Sequence, residues 1–215
     1  MAIIVVGGGG RGAGKTALVC GLMRALPEIS WTAVKITSHE HGHEHGQDKT
    51  TPIWEETAPG DGTDTARYLA AGACRALLVT AGEDGLGPIV EQLLQEHSRA
   101  SGVDNVGARG VGAKEVGTEK AGAIRAGIII ESNSVLRHLR PDVCLCAATS
   151  PWAEQKASFD LLMEHVDATV ELAAHDHIIE AEKITFRLAS LERVSPTMLD
   201  WLRERLGAQG IGNSQ

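Results

Sequence analysis

Short runs of β-branched and aliphatic residues alternate along this chain with stretches whose apolar positions recur every three or four residues. The first run, Ile3 to Val6, gives way to glycines, and Ala17, Leu18, Leu22 and Leu26 then fall on one helical face, so the opening reads strand, loop, helix. A second strand is predicted over 31–37 ("WTAVKIT"), followed by a histidine run and a Pro/Gly-rich stretch, "TPIWEETAPGDG". Thr63 and Asp64 read as a helix start, Ala66, Leu69 and Ala70 supply its apolar face, and Gly72 ends it before the strand "RALLVTA". Ile89, Val90, Leu93 and Leu94 then line one side of an amphipathic helix over 87–100.

The pattern breaks over 101–123. Val106-Gly107, Val111-Gly112, Val116-Gly117 and Ala121-Gly122 recur at a five-residue spacing that belongs to neither helix nor strand, and glycine at this density weakens both. This reads as an irregular insertion. Order returns with "AGIIIESNS", a buried strand ending in Glu131, then a short helix stopped at Pro141 and the strand "DVCLCAA". Pro151 suits the first turn of a helix with Phe159, Leu162 and Met163 inside. A strand at 168–172, an edge strand within "KITFRLAS", and a helix packing Met198, Trp201, Leu202 and Leu206 inward complete the pattern.

Strands alternating with helices predict an α/β fold, a mostly parallel sheet with helices on both faces, and the loop over residues 9–16, which matches G-x-x-x-x-G-K-[ST], makes the expected fold one of the P-loop NTPase type. A length of 215 residues suits a single nucleotide-binding domain over 1–215. An aromatic content of 3% leaves Ala, Val, Leu and Ile to build the core. The net charge of -8 argues against a general nucleic-acid binder, which needs a concentrated basic surface. No apolar stretch approaches the roughly 20 residues that span a bilayer, and "MAIIVV" lacks the features of a signal peptide, so a cytoplasmic protein without a membrane partner is expected. Of the four cysteines, Cys20, Cys74, Cys144 and Cys146, the last two share one face of a buried strand with no further ligands nearby and read as reduced core thiols.

The candidate chemistry centres on Gly9-Gly10-Arg11-Gly12-Ala13-Gly14-Lys15-Thr16, which matches G-x-x-x-x-G-K-[ST] in the strand-to-helix setting that motif requires. Glycines let backbone N–H groups close around a phosphate, and the helix beginning near Lys15 adds the positive end of its dipole. Lys15 would neutralise the β- and γ-phosphates, Thr16 would ligate Mg²⁺, and Arg11 faces either a phosphate or solvent. An acidic residue ending a neighbouring strand, Glu131, is placed to serve the same ion or to orient an attacking water. Ser132, Asn133 and Ser134 either line that mouth or cap a helix.

Three consecutive features, "GRGAGKT", "VKITSHEH" and "DTARYLAAGA", resemble the molybdopterin-guanine dinucleotide biosynthesis protein B family of P-loop proteins over roughly residues 1 to 81. That resemblance implies GTP binding in the service of molybdenum-cofactor synthesis, with molybdopterin and a nucleotidyltransferase as partners and a homodimer as a form common in this class. No Asn/Thr-Lys-x-Asp guanine-reading segment follows "DVCLC", where "ATSPWAEQKAS" stands instead, so GTP and ATP are both left open as cofactors.

Two other classes fit the same letters. "GAGKTALV" also looks like the loop of urease accessory GTPases, and the run "SHEHGHEHGQD" offers imidazoles for Zn²⁺ or Ni²⁺, as in a metal-delivery GTPase. Alternate residues of an extended chain stand about 6.6 Å apart, so two of these histidines would need a turn to share one ion. The run reads equally as a solvated loop or as a grip on substrate or nucleotide phosphates, and His39 and His41, nearest the strand, are the better candidates for a site. A small-molecule kinase would instead place an acceptor hydroxyl beside Asp48, Asp64 or Glu131.

Overall fold

The aliphatic run at the start forms β1 (Ala2–Gly8) in the computed structural model, which describes residues 1–37, 52–103, 125–148, 157–179 and 183–208. It is followed by α1 (Lys15–Ala25), β2 (Ile29–Thr37), β3 (Ile53–Glu55), α2 (Asp64–Ala70), β4 (Arg75–Thr80) and α3 (Glu83–Val103). Next come β5 (Arg125–Glu131), a 3₁₀ turn (Ser134–Arg137), β6 (Val143–Ala148), α4 (Ala157–His165), β7 (Ala168–Leu172), β8 (His177–Ile179), β9 (Ile184–Leu188) and α5 (Pro196–Ala208).

The nine strands of the described residues form one sheet in the order β3-β4-β2-β5-β1-β6-β7-β9-β8. Every pairing between interior strands is parallel, and only the two edge strands, β3 and β8, run antiparallel to their neighbours. The protein is therefore an α/β protein with a mostly parallel sheet and five helices among the described residues.

Alternation along the strands divides the core in two. Ile4 and Val6 of β1 and Ile129 of β5 face the layer made with Leu18 and Leu22 of α1, Leu26 at its C-cap, Tyr68 of α2, and Met198, Leu202 and Leu206 of α5. Val5, Ile128 and Ile130 point the other way, against Leu86, Val90 and Leu93 of α3, Val135 and Leu136 of the turn, and Phe159 and Leu162 of α4. Burying each such side chain stabilises the fold by about 1.5 to 3 kcal/mol relative to exposure, which is why the central strands are apolar on both faces. Among the described residues no helix is long and apolar enough to cross a membrane.

The predicted elements recur with four differences. β3 lies in the stretch read as a Pro/Gly-rich connection, and its Ile53 packs against the second core layer. β9 is not an edge, because β8 pairs outside it. α3 begins at Glu83, ahead of the expected residue 87, despite Gly85, Gly87 and Pro88. Leu86 is 1% exposed, so tertiary burial outweighs the poor propensity of that first turn. The start of the insertion expected over 101–123 is helical to Val103, and residues 104–124 and Pro151 lie outside the described residues.

Candidate functional site

The loop leaving β1 is anchored before it begins. Asn133 accepts a hydrogen bond from the Gly8 amide at 2.9 Å and donates to the Gly8 carbonyl at 3.1 Å, so one side chain holds both backbone groups at the last residue of the strand. Backbone packing there is close, since a Cβ on Gly8 would stand 2.8 Å from the Ala147 carbonyl oxygen. Gly12 and Gly14 adopt φ values of 79° and 84°, in the left-handed region where other side chains are strained. Gly14 is the N-cap of α1 and accepts from the Leu18 amide at 2.9 Å, with no side-chain cap and no acidic residue in the first turn. The first N–H groups of a helix have no partner within the helix itself, and they stand at the positive end of its dipole. Arg11 is exposed on the loop.

Two residues into the helix, the site turns from backbone to side chains. The Thr16 hydroxyl donates to Glu131 Oε2 at 2.8 Å. Glu131 stands at the C-terminal end of β5, flanked in register by Val6 of β1 and Lys35 of β2, and is 3% exposed. A carboxylate so buried needs partners. It has three: Thr16, the phenol of Tyr68, which donates to Oε2 at 2.5 Å, and the Lys35 ammonium, which donates to Oε1 at 2.7 Å. Lys35 also pairs with Asp64 Oδ2 at 2.5 Å, drawing the first residue of α2 into the cluster.

Charge tunes these groups in different directions. Burial alone would lower the Lys35 pKa, but the charge of Glu131 and the hydrogen bonds to Asp64 and Glu131 outweigh it and raise it above 10.5. For Asp64 burial acts upward, and the hydrogen bond and charge of Lys35 overcome it to hold the carboxyl below its ordinary value. Lys15, which donates to the Gly10 carbonyl at 2.7 Å, is lowered by burial, with the nearby Lys35 charge adding to the effect against Glu131 and Asp64. Burial and the neighbouring Glu131 charge push Tyr68 well above its ordinary range.

The expected residues Lys15, Thr16, Glu131 and Asp64 thus meet at one mouth, at the carboxyl ends of the central strands where ligands of open α/β sheets bind. The Ser-Asn-Ser segment splits its roles. Ser132 accepts from the Val135 amide of the 3₁₀ turn at 3.3 Å, while the side chain of Asn133, the residue at the N-cap of that turn, holds Gly8. Gly9, Gly10, Ala13 and Gly14 are half-buried along the loop. The histidine run, with His39 and His41, and Asp48 lie outside the described residues. Among the described residues no group of three or more His, Cys, Asp or Glu side chains is placed to hold a metal ion.

Lys35 and Tyr68 were not anticipated as site residues. Lys35 had a signal in the sequence, as the one ionisable residue of a largely buried strand. Tyr68 had a weaker one, its spacing of four from Asp64, which puts both on one helical face. No protein-family model matches the chain, and no curated protein matches it.

Proposed function

We propose that residues 9 to 16 are a P-loop, and that the chain binds a nucleoside triphosphate, GTP or ATP, with Mg²⁺ and hydrolyses it slowly. The observation that carries this reading is the 2.8 Å hydrogen bond from Thr16 to Glu131 beside a loop with two left-handed glycines and an open helix start. Mg²⁺ takes oxygen donors and keeps most of its coordination for water and phosphate, so a hydroxyl and a carboxylate from the protein suit it. Thr16 and Glu131 would hold the ion, which neutralises phosphate charge when bound. Lys15, now on a carbonyl oxygen, would move its ammonium to the phosphates, and the amides of the loop would line them.

On the resemblance of its loop, its strand-end "VKITSHEH" and "DTARYLAAGA" to the molybdopterin-guanine dinucleotide biosynthesis protein B family, the role proposed is that of an accessory protein in molybdenum-cofactor synthesis. Molybdopterin and a nucleotidyltransferase would be its partners. A small-molecule kinase is the second reading, favoured by Asp64, a partly open carboxylate held at the same mouth by Lys35. Thermal denaturation tests the shared claim. With nucleotide and Mg²⁺ at about a hundred times Kd, bound ligand adds about 2.7 kcal/mol, or some 5 to 10 °C in Tm for a chain of this size. Lys15→Ala should lose that gain. A wild-type chain whose melting is unmoved by Mg·GTP and Mg·ATP would defeat the reading, and consumption of ATP only when an acceptor is supplied would favour the kinase.

A further inference from the structure

Two ammonium groups from different elements converge on one mouth, and they are held differently. Lys15 rests on the Gly10 carbonyl, a neutral partner that a phosphate oxygen replaces readily. Lys35 is committed to two carboxylates, Glu131 at 2.7 Å and Asp64 at 2.5 Å, so its single charge offsets both. Glu131 already accepts from Thr16 and Tyr68 as well. A divalent cation at Thr16 and Glu131 would bring two positive charges against that ammonium, and like charges at such range in a half-buried site repel strongly. The ammonium has somewhere to go. Its side chain is 23% exposed on a flexible four-carbon stem, and its charge already acts on Lys15.

We infer that Lys35 is a phosphate-binding residue with two positions. In the nucleotide-free chain its ammonium bridges Glu131 and Asp64 in place of a divalent cation, and when Mg²⁺ and a nucleoside triphosphate bind it transfers to the terminal phosphate. This rests on the nucleotide reading and adds to it a residue that senses the third phosphate. Lys35 thereby couples the release of the two carboxylates to the arrival of the metal and the phosphate together.

The test is calorimetric titration of wild type, Lys35→Gln and Lys35→Arg with Mg²⁺ complexes of the β,γ-imido analogues of GTP and ATP, and of GDP and ADP. Loss of one charged hydrogen bond to phosphate corresponds to a fall of about tenfold to a hundredfold. Lys35→Gln is expected to show it for the triphosphate analogue and a change under about threefold for the diphosphate, with Lys35→Arg keeping most of the triphosphate preference. Titration with Mn²⁺ alone should show tighter uptake by Lys35→Gln than by wild type, because the carboxylates are no longer bridged. Should Lys35→Gln fail to fold, the double variant Lys35→Gln/Asp64→Asn removes opposite charges together and carries the same comparison. Equal losses for triphosphate and diphosphate, or no loss for either, overturn the inference while leaving the nucleotide reading intact. Wild type that binds none of the four overturns both.

Discussion

Tyr68, the single tyrosine of the chain, donates its phenolic hydrogen to Glu131 Oε2 at 2.5 Å, with both residues buried at the junction of α2 and β5. The bond ties the helix that follows the histidine segment to the carboxylate beside Thr16. Tyr68→Phe keeps the ring and removes that donor from a buried charge, so it should cost about 1 to 3 kcal/mol in urea denaturation, with an unchanged m-value. A Tyr68→Phe chain as stable as wild type would mean that the hydroxyl is not needed to satisfy Glu131.

Alkaline pH probes the same bond and Lys35 together. Both groups have folded pKa values raised above their ordinary 10.0 and 10.5. Each therefore contributes stability that is complete below its unfolded value and is lost as pH rises through the folded one. Unfolding free energy should fall above about pH 10, and the ultraviolet signal of tyrosinate, unambiguous with one tyrosine, should appear only with unfolding. Asp64, held below 3.8, acts in the opposite direction, and its contribution should disappear as pH falls below about 4. A tyrosinate signal growing in at pH 10 in a chain that is still folded would contradict the geometry.

Two glycines separate the loop's needs from the core's. A Cβ on Gly127 would meet the Ile29 side chain at 2.5 Å and the Trp31 ring at 2.7 Å, within the core and away from the mouth. On Gly8 it would meet the backbone oxygen of Ala147 at 2.8 Å, where the strand opens into the loop. Both alanine variants should lose about 1 to 3 kcal/mol of stability through overpacking. Only Gly8→Ala should also weaken nucleotide binding by the folded fraction, read by calorimetry below the melting transition. Equal effects on binding would place the two strains in the same part of the molecule.

Thiol reactivity checks the core directly. Burial pushes Cys20 and Cys146 up to about 11 and Cys144 to about 12, and all three lie inside the packed layers. Cys74 is exposed just ahead of β4, with its sulfur against the Trp31 carbonyl at 2.9 Å. An aromatic disulfide reagent at pH 8 should therefore titrate one thiol quickly and three more only in denaturant, and Cys74→Ser should abolish the fast phase. A fast phase that survives in Cys74→Ser would open the core layers to question.

What could be read in advance follows the strength of each local signal. Central strands such as β1, β5 and β6 are continuous aliphatic runs, so burial on both faces writes them plainly into the sequence. β3 and β8 are three residues each, too short for a periodic signal, and exist through pairing with β4 and β9. At the site, the candidate loop stands out in the sequence because its glycines, Lys15 and Thr16 are adjacent in the chain. The Glu131 cluster was only half legible. Lys35 and Tyr68 reach Glu131 across sequence separations of 96 and 63 residues, and only the strand register and the seating of α2 bring them there.

In the proposed function the loop from Gly9 to Thr16 holds nucleotide phosphates through Lys15 and a Thr16–Glu131 ion site. Calorimetric titration of wild type, Lys15→Ala and Glu131→Gln with GTP and with ATP, each with Mg²⁺ and again with the metal chelated, tests it most directly. Wild type should bind one of the two nucleotides at one site per chain, more weakly without Mg²⁺. Lys15→Ala should lose at least about tenfold in affinity under both conditions, as loss of a charged phosphate contact implies, while folded Glu131→Gln should lose the Mg²⁺ dependence. Absence of heat with either nucleotide in wild type, or binding that is indifferent to Lys15, would rule out a phosphate site at this loop.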